Sequence, residues 1–203
     1  MKKAIIGNGG FGREVFYSLS EQDKENTIFF VSDEWYHNSM INTLPLSEFN
    51  YDKYEVVVAI GNPIFRENIV KSLPKETKFF THIHESVQIL DKNIKIGEGS
   101  IICAGTILTT NISIGKHCHL NLQSTIGHDT IIGDFFTTAP GVKISGNCKI
   151  GNRVYFGTNS SIREKINICD DVTIGLNSGV VKDINESGIY VGLPSKKIIK
   201  NKL

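Results

Sequence analysis

The chain has 203 residues, with Lys+Arg 22 against Asp+Glu 21 and a formal net charge of +1; that balance gives no electrostatic basis for binding nucleic acid or an anionic membrane. No window approaches the roughly 20 apolar residues of a membrane span, and the apolar run in MKKAIIGNGG is too short for a secretory leader. Four cysteines without CxxC spacing (Cys103, Cys118, Cys148, Cys169) argue against a zinc ribbon or redox pair, so a cytoplasmic protein with free thiols is expected.

In chain order, KKAIIG reads as a short apolar strand, GREVFYSLSEQ as a helix and TIFFVSD as a second strand. After a loop, YEVVVAIGN is a third strand, and PIFRENIVKSL opens a helix with Pro63 near its first turn. Strand, helix, strand predicts a short parallel sheet. Between the first strand and its helix, GNGGFG places Gly7, Gly9 and Gly12 in G-x-G-x-x-G spacing, and Asp33 closes the second strand about 20 residues on. With three strands only, half of a dinucleotide fold is expected, suited to one nucleotide phosphate or diphosphate rather than a nicotinamide cofactor. Backbone amides at Gly9 and Gly10 could cradle that phosphate. Gly61-Asn62 falls at the carboxyl end of the third strand, where open α/β sheets hold ligands.

From Leu90 the pattern changes. Every sixth residue to Val180 (Leu90, Ile96, Ile102, Leu108, Ile114 and onward) is large and apolar except Thr138. The next slot is often glycine, as at Gly97, Gly115, Gly127 and Gly133, and the fifth slot is small or β-branched. A fixed six-residue period marks a repeat architecture: a chain that turns a corner every six residues, with one aliphatic side chain per face pointing inward and glycine taking the tight backbone. Three faces make a coil, and the register supplies about five coils. In the hexad opening at Ile126, the sequence IGHD puts His128 in the third slot, out of register with the inward anchors and so facing outward. Asp129 follows directly and could hold one ring nitrogen, leaving the other to accept a proton. His117 and His119 flank Cys118, but the chain lacks a histidine pair about five residues apart, and no metal is expected.

The hexads resemble those of the bacterial hexapeptide transferases, which implies a left-handed parallel β-helix from about Val87 to the end; the tail GIYVGLPSKKI is similar to their closing segment. Together with G-x-G-G-x-G and A-I-G-N, the whole chain resembles the nucleotide-sugar N-acetyltransferases of bacterial glycan pathways, related to the sialic-acid O-acetyltransferases. The resemblance implies an α/β half-Rossmann domain over residues 1–83 holding a nucleotide-linked amino sugar, a 4-amino sugar favoured. An all-β domain over 84–203 then takes acetyl-CoA between protomers of a homotrimer. It implies His128 as general base oriented by Asp129, an oxyanion amide at Gly146, acetyl-CoA contacts at Thr137, Thr158 and Leu176, and substrate contacts at Gly9, Gly10, Phe11, Asp33 and Gly61. Lys196, Lys197 and Lys200 are candidates to meet the CoA phosphates. Rival readings are O-acetylation of a sugar hydroxyl, a non-catalytic sugar-nucleotide sensor, and an oxidoreductase using the glycine loop.

Overall fold

The computed structural model describes residues 1–198. The first part is a parallel sheet of β1 (Lys2–Ile6), β2 (Thr27–Val31), β3 (Thr43–Pro45), β4 (Tyr54–Val58) and β5 (Lys78–Phe79), in the order β3-β2-β1-β4-β5. It is five-stranded, not three-stranded as the sequence predicts; the two additional strands are edge pieces of three and two residues, too short to leave a pattern. The predicted helix after β1 divides into α1 (Gly10–Tyr17) and α2 (Glu21–Glu25), the second capped by Ser20. The third, α3 (Pro63–Ser72), has Pro63 in its first turn and Asn62 as N-cap, accepting from the amides of Ile64 and Phe65. Val15 and Leu19 cover one side of the sheet around Ile5, Phe29 and Val57, and the layer is completed by Ile101 from the second part. Leu73 and, partly buried, Ile69 and Val70 cover the other side around Ile6, Phe30 and Val58.

The second part is a parallel β-helix of two-residue rungs on three faces. Face 1 runs from His82–Ile83 through Ile101–Ile102, His119–Leu120, Thr137–Thr138 and Tyr155–Phe156 to the last strands. Face 2 runs from Gln88–Ile89 to Gly179–Val180, and face 3 from Lys95–Ile96 to Asn167–Ile168, five rungs. Ile102, Leu108, Ile114, Leu120, Ile126 and their successors fill the prism, as the hexads predict. The fifth slot is also sealed, from Ser100 to Ser178. Thr138, the one polar anchor, stays satisfied inside: its hydroxyl accepts from the Asn121 amide at 2.9 Å and pairs with Ser124 Oγ at 2.8 Å.

Two details depart from the hexad reading. Leu90 is not an anchor; Ile89 pairs with Leu108, and Leu90 is 65% exposed. The first coil carries one extra residue, so alignment at 18-residue spacing starts at Ile96. Nor does the glycine slot supply the unusual backbone. Left-handed φ falls in the fourth slot, at Asn111, Asp129, Asn147, Lys165 and their counterparts, while the second-slot glycines have ordinary φ. Those glycines are required by stacking: a Cβ on Gly127 would lie 2.6 Å from the Gly146 nitrogen, and one on Gly133 2.8 Å from the Gly151 carbonyl carbon. Coils sit one strand spacing apart, too close for a side chain between their backbones.

Candidate active site

At the carboxyl ends of β1, β2 and β4 lies a cavity of ≈ 670 Å³, bounded by Gly7 to Gly9, Ser32, Glu34, Trp35, Ile60, Phe65 and Asn68 among others. It occupies the point where the strand order reverses between β1 and β4, the place where such sheets take ligands. Gly7 needs its glycine for φ +108, and Gly12 for contact with the Gly7 backbone. Gly9, Gly10 and Gly61 differ: a Cβ on any of them would meet no atom within 4 Å. Internal packing therefore does not demand glycine there; the bare backbone faces open space. Gly9 caps α1 without a side-chain bond, no acid stands in the first turn, and the amides of Gly10, Phe11 and Gly12 have no acceptor among the described residues.

The predicted substrate residues divide between two places. Gly9 lines the large cavity, whereas Phe11 and Gly61 line a second one of ≈ 350 Å³ between α1 and face 1, together with Glu14, Asn121, Tyr155 and Thr158. Phe11 packs its ring against His119, centroids 5.0 Å apart. Asp33 is exposed in a short turn, and its carboxylate accepts from the Ser47 amide at 3.0 Å, a bond that holds it below the usual carboxylate range. Its neighbours Ser32, Glu34 and Trp35 face the cavity instead.

Arg66 joins the two parts, and its role was not read from the sequence. The guanidinium is fully buried and donates to the carbonyls of Ile60 (2.6 Å), His117 (2.9 Å) and Phe135 (2.7 Å), to Thr137 Oγ1 (2.8 Å) and to His119 Nδ1 (3.1 Å). These partners are all neutral, and burial pulls Arg66 down to about 9, still charged at neutral pH. Because Arg66 only donates, Nδ1 of His119 is the acceptor and Nε2–H donates to the Val58 carbonyl at 3.0 Å; burial, then Arg66, keeps this ring neutral. His117 stacks on Phe135 and meets Phe79 edge-on, and its burial lowers it to about 4. His117 and His119 are thus seated in the junction. One signal existed: Arg66 stands at i+3 from Pro63 and i−4 from Val70, a cation on the inward stripe of α3.

His128 stands on the corner between faces 2 and 3, its side chain 56% exposed. Its Nδ1 lies 2.6 Å from Asp129 Oδ2. A carboxylate accepts only, so Nδ1 carries the proton and the Nε2 lone pair is free. Hydrogen bonds from Asn111, then from His128, lower the Asp129 carboxyl. The ring lies over Gly146, one coil on: a Cβ there would be 2.6 Å from Nε2. On the corner between faces 3 and 1, third-slot amides are capped from the next coil, as Lys116 is by Asp134 and Asp134 by Asn152. The Gly146 amide has no such acceptor among the described residues.

Thr158 and Leu176 occupy the corner between faces 1 and 2, both exposed, Leu176 by 70%. Thr137 is buried on face 1, donating to the Gly61 carbonyl at 3.2 Å and accepting from Arg66. The structure therefore gathers His128, Asp129 and Gly146, and sets Thr137, Thr158 and Leu176 elsewhere on the prism. In the tail, Lys197 pairs with Glu186 at 3.0 Å; Lys200 lies outside the described residues. Among those residues no group of acids, cysteines and histidines has the disposition of a metal site, and no helix is long and apolar enough to cross a membrane.

Residues 2–73 match the PglD N-terminal domain family. The chain is 30% identical over 174 residues to the GDP-perosamine N-acetyltransferase of Escherichia coli O157:H7, covering 80% of this chain and 78% of that one. WeeI from Acinetobacter baumannii AYE superposes with a TM-score of 0.84 at 32% identity, covering 97% of this chain and 99% of that chain. PerB from Caulobacter crescentus, solved with CoA and GDP-perosamine, shares the fold at a TM-score of 0.84 and 21% identity, covering 98% and 97%. Fold and site together define a hexapeptide-repeat acyltransferase. Within that class, the chain belongs to the bacterial nucleotide-sugar N-acetyltransferases of the sialic-acid O-acetyltransferase-like family, as the hexads and glycine loop imply.

Proposed function

We propose that the protein transfers acetyl from acetyl-CoA to the amine of a nucleotide-linked amino-deoxy sugar, a 4-amino sugar favoured, with His128 as general base. The observation that carries this is the His128–Asp129 pair beside Gly146: an outward ring with a fixed tautomer, over an amide with no acceptor among the described residues. The E. coli and Caulobacter relatives, whose names and ligands are a perosamine N-acetyltransferase, CoA and GDP-perosamine, support the substrate class.

In this reading residues 1–83 hold the nucleotide in the larger cavity, phosphates at the Gly9 and Gly10 amides, and the sugar reaches toward Phe11 and Gly61. An ammonium has no lone pair for attack. His128 Nε2 takes a proton from the amine as nitrogen adds to the thioester carbonyl, Asp129 stabilises the resulting imidazolium, and the Gly146 N–H donates to the oxyanion. Collapse expels the CoA sulfur, which receives the proton from Nε2. Base catalysis contributes about 10²–10⁴-fold, and positioning of the two reactants much of the rest.

A homotrimer completes the site. His128 and Gly146 lie on one corner bounding face 2, and Thr158 and Leu176 on the other. A three-fold ring with that face turned inward sets one protomer's first corner against its neighbour's second, so the exposed Leu176 gains a partner and acetyl-CoA lies in the groove between them. The test is thiol release from acetyl-CoA across a panel of nucleotide-linked amino sugars. Turnover with at least one member, abolished in His128→Ala, supports the reading. Full activity in His128→Ala removes the mechanism.

A further inference from the structure

The Asp129 carboxylate sits on an exposed corner, where a lone carboxylate would rotate and share both oxygens with water. It does not stand alone. Asn111, one coil earlier on the same corner, donates from Nδ2 to Asp129 Oδ1 at 2.6 Å, which leaves Oδ2 for the His128 ring at 2.6 Å. Because the carboxylate only accepts, the amide nitrogen must face it, and the orientation of Asn111 is determined. Asn111 is itself anchored: its backbone amide donates to Asp91 Oδ2 at 3.0 Å, and Thr110 Oγ1 donates to the same oxygen at 2.9 Å. Asp91 Oδ1 accepts from the Asn93 amide at 2.9 Å. A chain of bonds thus crosses three coils: Asn111 donates to Asp91 on one side and to Asp129 on the other, and Asp129 accepts in turn from the imidazole.

We infer that Asn111 is a positioning residue for the reaction, acting through Asp129 to fix the tautomer and aim of His128. This deepens the proposed function and rests on it. Both residues have left-handed backbone, φ +51 and +60, a conformation Asn and Asp adopt at low cost. Each therefore serves the fold and the dyad at once, and Asn111→Asp keeps the corner intact. Similar steps elsewhere, such as Asn152 to Asp170 at 3.1 Å, tie coils together with no histidine at the end, so the test must read chemistry as well as fold.

The charged groups on this corner are Asp91, Lys92 and Asp129 on one side and Arg163, Glu164 and Lys165 from the coil beyond Gly146; the face residues Thr125 and Ile131 beside His128 are neutral, and Lys143 and Lys149 stack on them from the Gly146 coil. In acetyl-CoA turnover by the full-length protein, Asn111→Ala and Asn111→Asp should each lower kcat about tenfold or more, with KM for both substrates within about twofold. Asn111→Asp sets a second negative charge beside Asp129 and should also move the acid limb of the kcat/KM profile up by about half a pH unit, a displacement a purely structural tie would not cause. Wild-type kcat and pH profile in both variants, beside an inactive His128→Ala, overturn this inference alone. So does activity lost only in proportion to a fall in thermal midpoint. Turnover surviving in His128→Ala overturns the underlying reading and this one with it.

Discussion

Adding a single methyl group at Gly146 separates catalysis from stability. A Cβ there would lie 2.6 Å from Nε2, 2.7 Å from Cε1 and 2.9 Å from Cδ2 of His128. Ordinary contact begins near ~3.4 Å, so the ring must retreat by roughly 0.8 Å or swing away from Asp129. The obstacle is the end of an exposed side chain, which yields without disturbing the coil. Displacement of a reacting group by about 1 Å costs about 10²-fold, equivalent to about 2.7 kcal/mol of transition-state stabilisation. Gly146 lies outside the left-handed region, so alanine fits its backbone and narrows the unfolded ensemble, a gain of about 0.4–1 kcal/mol. Gly146→Ala is thus expected to lower kcat about 100-fold while its thermal midpoint holds or rises. Gly127→Ala, one coil earlier, is the control: its Cβ would press on backbone, 2.6 Å from the Gly146 nitrogen and 2.7 Å from the Ser145 carbonyl carbon, and it should lower the midpoint. Thiol release at saturating substrate and differential scanning calorimetry read both. Wild-type kcat in Gly146→Ala would refute the placement of the reaction over this glycine.

Arg66→Met should destabilise the protein by about 3–5 kcal/mol, because the buried carbonyls of His117 and Phe135 lose their donor. At 2–4 °C per kcal/mol for a chain of this size, the midpoint falls by about 10 °C; a fall under about 2 °C would count against the junction described. Acid should loosen the same junction. His82 and His117 are both lowered to about 4, chiefly by burial, so the unfolded chain binds their protons first. Their contribution is present above pH ~6.5 and is lost as pH falls toward about 4, at up to about 1.4 kcal/mol per pH unit for each ring. Urea midpoints measured between pH 7 and 4 should decline accordingly, and His82→Gln should flatten the decline; a midpoint constant over that range would contradict the burial of these rings.

The β-helix was readable because each coil repeats one burial requirement, and no helix or ordinary strand tolerates a six-residue period over ninety residues. The extra residue between Ile89 and Ile96 was hidden, since Ile89 and Leu90 are both apolar and composition alone does not choose between them. The role of second-slot glycine was misread for a related reason: the need for it arises from a neighbour 18 residues away, such as Gly151 above Gly133. The His128–Asp129 pair was legible as adjacent residues, whereas Asn111 and Arg66 were not, because the partner of Asn111 on the next coil lies 18 positions distant and the β-helix partners of Arg66 lie 51 to 71. Asp33 was legible by spacing alone. Its distance from the glycine loop is that of a ribose ligand, and its bond from the Ser47 amide, 14 positions on, left no mark in the pattern.

Stacking at one strand spacing also makes the prism a ruler. The imidazole belongs to the third coil, two layers above the rung at His82–Ile83, or about 10 Å along the axis. Removing 18 residues between that rung and the ring would leave every remaining layer paired and the interior filled. It would lower the His128 ring by about 5 Å relative to the first rung. The height of a corner residue above the first rung is therefore set by counting layers, and it changes only in whole steps.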